Sequence, residues 1–462
     1  MHSSSRTALS VGPLVFVFLA GLGACAPVGE TQVSLRPIAV TELGPGWAGT
    51  SVNTVVFRGQ GLLTWDGHQF GAYYSDKGEL VVVDRSLDTG HVSRTVIVGE
   101  YGIRDAHNSI SLGIDEGSYL HLAYSQHASP LRYRRSLMPM SVEAWSDEQP
   151  MTGIREESVT YPTFLMVPID AGESSLLFVY RDGASGQGAA CVKAYDSTRL
   201  TWQDVPECLF DGSGHRPWTS SPYWFNPALG PDGELHVFAT WRTTSLGAEA
   251  GVMNLDLDYA RSSDGGQTWH TSSGLAYALP ITQVNAETVF AVAPGSGLMN
   301  QGGSAVDSQG RPHVVYYAND GAGIPQYQHL WYDGAEWHNS VVSRRDARFR
   351  LQGGGTLELP MSRPEVVIDS ADIVYVIYRA DTTGQRMVVQ RLLPPHYELE
   401  EPARQLWPED LAYAEPVVDK ERWGEYGILS MLIQRNLQPP HDADAEMHAE
   451  PVYIVEWNLS GE

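Results

Sequence analysis

The sequence predicts an all-β fold, a seven-bladed β-propeller that forms a single domain behind an N-terminal segment. Pairs of short β-rich runs joined by tight turns recur seven times, and their starts lie between 49 and 78 residues apart. A repeat of this length with paired strands is typical of propellers, whose blades have about four strands each. The 46 glycines and 28 prolines also favour many short strands and turns over long helices.

The first 25 residues resemble a bacterial export signal with a lipobox. Arg6 precedes the apolar run VGPLVFVFLAGL, which is too short to span a bilayer as a stable helix. The run ends in LGAC, so we expect Cys25 to be lipidated and to become the first residue of the mature protein; cleavage nearby as an ordinary signal peptide is the alternative. Residues 26–31 are then a linker, and residues 32–460 form the propeller.

An exported lipoprotein is expected at the outer membrane, on the cell surface or in the periplasm, with the lipid as its only membrane attachment. If the lipobox is not used, we expect a secreted protein. We also expect a monomer. The other two cysteines, Cys191 and Cys208, either form one disulfide or remain as two buried thiols. The net charge of −25 argues against a nucleic-acid partner, and any anionic ligand must be attracted by local positive groups.

The blades follow one another along the chain. A first β-rich segment, residues 32–57, is predicted to supply the outer strand that closes the seventh blade. The strand pairs of the seven copies begin at Phe70, Tyr119, Leu176, Leu235, His313, Ile373 and Ile428. Several copies are preceded by an inner-strand candidate that ends in an Asp- and Gly-containing turn, as in SLGIDEGS, PALGPDGE, SAVDSQGR and EVVIDSAD. No helix-period segment of useful length is present after residue 30.

One stretch has the form of an Asp-box, the hairpin turn of sialidase-like repeats. Residues Ser262–Trp269 read SSDGGQTW, which matches S-x-D-x-G-x-T-W. We interpret it as a structural turn that indicates a propeller and carries no information about activity. Several other copies also close on a tryptophan, namely Trp202, Trp337 and Trp457.

Polar and aromatic side chains stand at the strand ends of three consecutive blades. The repeat pattern places three of them just before inner strands and three at the loops between second and third strands: His107, Tyr161 and Tyr223, then His127, Arg181 and Arg242. In a propeller these loops share one face around the central channel, so we expect the six side chains to line one pocket. Asn108, Asn300, Gln301, Arg363 and Arg379 are candidates to complete its rim.

These motifs resemble those of the β-propeller ulvan lyases, polysaccharide lyases that are grouped with BNR-repeat-like proteins. The matching stretches, in the order and at the approximate spacing of that family, are HNSISLGID with His107, SQHASPLRYRRS with His127, TYPTF with Tyr161, LLFVYRDGASGQG with Arg181 and SPYWFNPAL with Tyr223. The resemblance covers most of the chain after the linker. The clearest departure is a few extra residues around 170–174, which should lengthen a hairpin.

The resemblance implies a carbon–oxygen lyase that cleaves a sulfated, uronic-acid-containing polysaccharide of the ulvan type by β-elimination. It implies that Arg181 neutralises the uronate carboxylate and stabilises the enolate-like intermediate. Tyr161 is then the base, the acid or both, and needs nearby positive charge because a free tyrosine has a pKa of about 10. His107 is the rival base. The remaining roles, substrate binding and carboxylate neutralisation, are assigned to His127, Tyr223, Arg242, Asn108 and Asn300.

No metal is needed for this chemistry. Relatives with a structural metal imply a zinc or calcium ion, for which His313, His329 and His338 are candidate ligands. Two other functions remain open. A sialidase-like glycoside hydrolase is one, although Arg36-Pro37-Ile38 does not reproduce the usual Arg-Ile-Pro motif. A non-catalytic glycan-binding propeller is the other, and a lyase for a different uronate polymer shares the proposed mechanism.

Overall fold

Seven antiparallel sheets, each one blade of a β-propeller, make up the computed structural model. It describes residues 1, 33–169, 174–205, 207–212, 220–243, 253–350, 356–440 and 444–460. Val33–Glu462 form one compact unit. The predicted export segment with Cys25 and the linker lie outside the described residues, apart from Met1, and so do residues 170–173 of the predicted longer hairpin.

The strands of the first three blades follow β1 (Ala39–Trp47) in the chain. They are β2 (Leu62–Trp65), β3 (His68–Tyr74), β4 (Leu80–Ser86) and β5 (Val92–Ile97) in the first blade, and β6 (Ile110–Ile114), β7 (Leu120–Tyr124) and β9 (Tyr133–Arg135) in the second, with β8 (His127–Ser129) between the last two. The third contains β10 (Val159–Pro168), β11 (Ser174–Ala184), β12 (Gln187–Asp196) and β13 (Thr201–Asp204), and it also pairs with β8 and with β14 (Phe210–Asp211).

The last four blades complete the ring. The fourth contains β15 (Ser220–Trp224), β16 (Ala228–Leu229), β17 (Leu235–Thr243), β18 (Asn254–Ser262) and β19 (Glu287–Phe290), and the fifth β20 (Ser304–Val306), β21 (Pro312–Asn319), β22 (Pro325–Tyr332) and β23 (Trp337–Val341). The sixth contains β24 (Glu365–Ile368), β25 (Val374–Arg379), β26 (Met387–Leu393) and β27 (Glu398–Gln405), and the seventh β28 (Val417–Val418), β29 (Ile428–Ile433) and β30 (Ala449–Asn458). The predicted seven-bladed propeller is confirmed.

The N-terminal strand closes the ring, as the sequence predicted. β1 pairs antiparallel with β30, from Ala39 opposite Glu456 to Trp47 opposite Ala449. Pairing β1 with the last strand covers the edge that the seventh blade would otherwise expose. Just before β1 the chain also touches the sixth blade, where the Leu35 N–H donates to the Gln405 carbonyl at 2.8 Å. The residues around the start of β1 thus contact both the sixth and the seventh blade.

The central strands of each blade are apolar on both faces because neighbouring blades cover them. β25 (VYVIYR) and β7 (LHLAY) are buried along their whole length. Fully buried tryptophans fill the wedges between sheets, among them Trp241 and Trp457. Such strands read as continuous hydrophobic runs instead of alternating ones.

The first hairpins of three blades share a buried polar contact. The turn aspartate reaches a His or Tyr six positions later in the pairs Asp115–His121, Asp307–His313 and Asp369–Tyr375. Because buried polar groups need partners, these contacts tie each hairpin to its blade. The Asp115–His121 contact is a hydrogen bond of 3.2 Å, whereas the atoms of the Asp307–His313 pair are 3.6 Å apart.

Other local features are consistent with the sequence. In the Ser262–Trp269 turn, the Asp264 carboxylate accepts hydrogen bonds from the N–H groups of Gln267 and Thr268 at 3.0 and 2.9 Å. Cys191 and Cys208 form a disulfide, which decides between the two alternatives. The one α-helix among the described residues, α1 (Lys420–Tyr426), has seven residues. In that part of the chain, no helix is long and apolar enough to cross a membrane.

Candidate active site

The six side chains predicted to share a pocket form one continuous cluster. The rings of His107 and His127 are 4.2 Å apart, and the ring of Tyr161 is 5.9 Å from His107 and 6.1 Å from Tyr223. The two arginines lie over the tyrosines: Arg181 is 4.9 Å from the Tyr161 ring and Arg242 is 4.3 Å from the Tyr223 ring. The predicted convergence of three blades is therefore present in the structure.

The exact strand positions differ from the prediction. Tyr161 and Tyr223 lie within β10 and β15, and Arg181 and Arg242 lie within β11 and β17, because these ladders continue further towards the site than the hydrophobic pattern indicated. His127 begins the short strand β8, which pairs with β10 of the next blade. This pairing brings the second and third blades together at the site.

Asp105 holds the two histidines in a stacked pair. Its carboxylate oxygens meet Nδ1 of His107 at 2.9 Å and Nδ1 of His127 at 2.5 Å, and the two rings are tilted by 15°. Burial raises the pKa of Asp105, but the hydrogen bonds from both histidines outweigh burial and hold that pKa well below its ordinary value. The ionised carboxylate can only accept, so each Nδ1 carries a hydrogen. Phe57 stacks on the other face of His107 at 5.3 Å.

Tyr161 stands in a strained backbone position. Its φ is +57°, at a register shift of the β10–β11 ladder between Thr160 and Thr163. A left-handed conformation costs a non-glycine residue about 1–2 kcal/mol, and such strain is concentrated at functional sites. The hydroxyl makes no hydrogen bond to another described residue. Burial raises the pKa of Tyr161, and the nearby charge of Arg181 only partly opposes that shift.

Tyr223 has the opposite electrostatic environment. Its hydroxyl oxygen lies 3.2 Å from Nη1 of Arg242, 3.4 Å from Nη1 of Arg181 and 2.9 Å from Oγ of Ser185. Burial raises the pKa of Tyr223, but the two arginine charges and the Ser185 hydrogen bond outweigh it, and the pKa lies below its ordinary value. The pKa values of two tyrosines whose rings are about 6 Å apart are thus shifted in opposite directions.

The two arginines supply positive charge that no described carboxylate balances. Arg181 donates to Thr160 Oγ1 at 3.0 Å, and its Nε is buried without a hydrogen-bond partner among the described residues. Arg242 donates to the side-chain oxygens of Asn254 at 2.9 Å and Asn300 at 2.6 Å. In a chain of net charge −25, two such guanidinium groups give the cluster a local positive charge.

The other rim candidates have several different positions. Asn300 orients Arg242, and Gln301 accepts from the Asn300 amide at 3.1 Å. Arg363 borders the cluster, but Glu415 pairs with it at 2.9 Å. Arg379 is bonded to the backbone carbonyls of Leu359 and Ala414, and its role is structural. The Asn108 amide is turned away and donates to the Gly102 carbonyl at 2.8 Å.

The predicted metal ligands do not form one close group. His313 and His329 are buried and lie 2.8 Å apart, Nδ1 to Nε2, while His338 is paired at 2.7 Å with Asp333. Among the described residues, the group whose metal-ligating atoms all lie within 4.8 Å of one another is Asp105, His107 and His127. A cation there would have to replace the two Nδ1 hydrogens that Asp105 accepts.

Sequence reasoning missed several residues of the cluster. Asp105, Phe57, Ser185 and Thr160 all contact a predicted side chain. Asp105 stands two positions before His107 and a turn aspartate beside a histidine was a signal that could have been used. Phe57 belongs to a segment far earlier in the chain, and no local pattern connects it to the site.

A separate cavity of about 340 Å³ is lined by residues of several inner strands and of α1. Its lining includes Glu421 of α1 and four residues of inner strands or their loops, namely Thr163, Asn226, Ser304 and Val366. These four follow Tyr161, Tyr223, Asn300 and Arg363, respectively, by a few positions in the chain. Glu421 is held by the Gln60 amide at 2.9 Å, and burial raises the pKa of its carboxyl to about 8. This cavity is distinct from the six-residue cluster.

Comparisons with known proteins identify the family. Residues 68–345 match the BNR repeat-containing family, and the chain belongs to that family. No curated protein matches the sequence. One similar solved structure is described as a new family of polysaccharide lyase, PL25 ulvan lyase; it has a TM-score of 0.67 and 14% identity over 92% of this chain and 96% of that chain. A second solved structure, described as PL25 ulvan lyase bound to -[GlcA(1-4)Rha3S]-, has a TM-score of 0.66 and 14% identity over 92% of this chain and 96% of that chain. Polysaccharide lyase Uly1 has a TM-score of 0.64 and 15% identity over 87% and 90%. At these identities the likeness establishes the shared fold.

Proposed function

We propose that this protein is a polysaccharide lyase that cleaves a uronic-acid-containing polymer of the sulfated, ulvan type by β-elimination. The observation that carries the proposal is the pair of unbalanced guanidinium groups, Arg181 and Arg242, beside two tyrosines and two histidines. A uronate carboxylate is the ligand that such a site favours. The similar fold of an ulvan lyase bound to a glucuronate-containing oligosaccharide supports this substrate class.

In the proposed reaction, the C5 hydrogen of the uronate leaves as a proton and its electron pair forms the C4–C5 double bond. The C4–O bond breaks, and the leaving oxygen takes a proton from an acid. Arg181 neutralises the carboxylate, because negative charge spreads onto that group as the proton leaves. Arg242, Tyr223 and His127 help to bind the carboxylate, and Asn300 keeps Arg242 in place. Asn108 is proposed to bind more distant parts of the substrate.

The surroundings of Tyr161 and His107 support a division of roles. Tyr161, with its raised pKa, keeps its proton at neutral pH and suits the acid that protonates the leaving oxygen. His107 donates its Nδ1 hydrogen to Asp105, so the neutral ring has its lone pair on Nε2 and suits the base. If Tyr161→Phe keeps near-normal activity while His107→Ala does not, Tyr161 has no essential role and His107 alone is required.

The test is to incubate the purified protein with ulvan and to follow far-UV absorbance. Elimination creates a conjugated 4,5-unsaturated uronate, whereas hydrolysis does not. Rising absorbance supports the lyase. New reducing ends without absorbance would favour a sialidase-like hydrolase. Binding without either product, across a panel of uronate polysaccharides, would indicate a glycan-binding propeller and overturn the proposal.

We also propose that the protein is exported as a monomer and anchored through lipidated Cys25. The Cys191–Cys208 disulfide supports an oxidising compartment. If Cys25→Ala leaves the protein in the membrane fraction, the anchor proposal is wrong.

We further propose that catalysis needs no metal, so that activity should survive chelation; a zinc or calcium ion at His313 and His329 would then affect only the melting temperature.

A further inference from the structure

Asp105 connects the two histidines of the site through a single carboxylate. Oδ1 accepts from the backbone N–H of His107 at 2.9 Å as well as from its Nδ1, so the carboxylate is fixed in a tight local turn. Oδ2 meets Nδ1 of His127 at 2.5 Å. Both rings are therefore held with Nε2 as the ring nitrogen that does not face Asp105.

The two rings are not equivalent. His127 has the shorter contact with the carboxylate, and 30% of its side chain is exposed, compared with 10% for His107. Phe57 covers the outer face of His107, and Arg363 lies over that Phe57 ring at 5.1 Å. Phe57 thus shields one face of His107, whereas His127 is the more exposed ring.

One carboxylate cannot balance two stacked cations. The ring centroids of the histidines are 4.2 Å apart, so two imidazolium rings would repel each other strongly. The titratable and charged groups around the pair are Asp105 itself, Tyr161 beside His107, and the arginines 181 and 363 beyond Tyr161 and Phe57. Arg181 disfavours a second positive charge on His107, whereas the charge of Arg363 is paired with Glu415.

We propose that Asp105 is a positioning residue for the elimination. By accepting the Nδ1 hydrogens of both rings, it fixes the tautomer and orientation of His127 beside the uronate carboxylate and leaves the Nε2 lone pair of His107 to take the C5 proton. The proton moves from C5 to Nε2 of His107, and the carboxylate of Asp105 stays ionised throughout. This inference rests on the proposed lyase function.

The first experiment reads the ring protons directly and needs no substrate. The full chain is labelled with ¹⁵N in its histidine rings, and the signals are assigned with the His107→Gln and His127→Gln variants. We expect a hydrogen on Nδ1 of both rings and an Nε2 without a hydrogen on His107. A bare Nδ1 on either ring would overturn the proposal, whatever the activity of the protein.

The second experiment compares Asp105→Asn with a matched control, Asp84→Asn. Asp84 accepts from Nδ1 of His68 at 2.7 Å in the first blade, outside the site. An asparagine at 105 forces one ring into the wrong tautomer, and the same change in a Ser-His-Asp triad costs about 10⁴-fold in kcat. We expect that loss, with KM changed less than about threefold because Arg181 and Arg242 still bind the carboxylate, and with the acidic limb of the pH–rate profile moved to lower pH.

The control separates positioning from general destabilisation. Asp84→Asn should keep the wild-type kcat and pH profile. If Asp105→Asn shows the same kcat and profile as Asp84→Asn, Asp105 is not a positioning residue. If Asp105→Asn does not fold, the ring-proton measurement on the wild-type chain still decides the question. If the wild type eliminates no uronate polymer, the proposed function fails, but the ring-proton result still tests the bridged pair.

Discussion

Replacing Arg181 with methionine should abolish most of the activity while leaving the fold intact. The guanidinium lies 4.9 Å from the Tyr161 ring, is buried, and has no described carboxylate partner. No described carboxylate therefore neutralises its charge before the substrate binds. Methionine keeps the length and apolar stem of the side chain but removes the charge.

The magnitude follows from the lost contacts. Removing one preorganised donor to a developing oxyanion costs about 10²–10³-fold in kcat, about 2.7–4 kcal/mol. Arg181 supplies a full charge as well as donors, so we expect a loss of about 10³-fold or more. The free energy of unfolding should change by less than about 1 kcal/mol, because losing the hydrogen bond to Thr160 is offset by removing the unpaired, buried Nε.

The assay is the initial rate of far-UV absorbance increase, combined with a thermal melt of each variant. Arg181→Lys keeps the charge but not the planar fork of the guanidinium, and its rate should be about tenfold higher than that of Arg181→Met. The control is Arg391→Met. Arg391 lies outside the site and pairs with Glu400 at 2.6 Å, so this variant should behave as the wild type. Activity of Arg181→Met within tenfold of the Arg391→Met control would refute the carboxylate-binding role.

Three further outcomes are expected. Tyr161→Phe should melt as the wild type does and lose elimination activity, because only its hydroxyl, which no described residue bonds, is removed; an unchanged rate would show that the acid is another group. Replacing Cys191 and Cys208 with serine should lower the free energy of unfolding by about 3 kcal/mol, because the disulfide closes a short loop, and unchanged denaturant unfolding would contradict this. The value of kcat should not change, because Cys191 lies opposite Tyr180 and strand alternation places it on the other face of the ladder from Arg181. The pKa of Glu421 is about 8 in the folded chain and near 4.5 in the unfolded chain, so between these pH values only the folded chain keeps the proton and stability should fall as pH rises. Glu421→Gln should flatten this pH dependence of the melting temperature. An unaltered pH dependence would show that another group causes it.

Much of the fold could be predicted because the repeat is written locally. Short apolar strands and Asp–Gly turns recur at blade spacing, and each specifies a hairpin without reference to distant residues. The prediction that residues 32–57 close the seventh blade required only that one predicted strand lay outside the seven repeats. β1 and β30 pair accordingly.

The site could be predicted in part for the same reason. Once the blades are counted, geometry places the strand ends on one face, and the convergence of His107, Tyr161 and Arg181 follows. The arrangement of the candidate metal ligands could not be predicted in this way. His313, His329 and His338 are close in sequence, yet His338 is bonded to Asp333 while the other two contact each other inside the blade.

The sequence by itself determined the propeller, the number of its blades and the set of side chains at one mouth, because hairpin periodicity and composition act over a few residues. Only the tertiary structure decided how those side chains are charged and oriented. Phe57 covers His107 from a distant part of the chain, Asp105 bridges two loops, and Tyr161 is held at a φ of +57°. Protonation and strain depend on burial and on the atoms that surround a group in space, which no local pattern records.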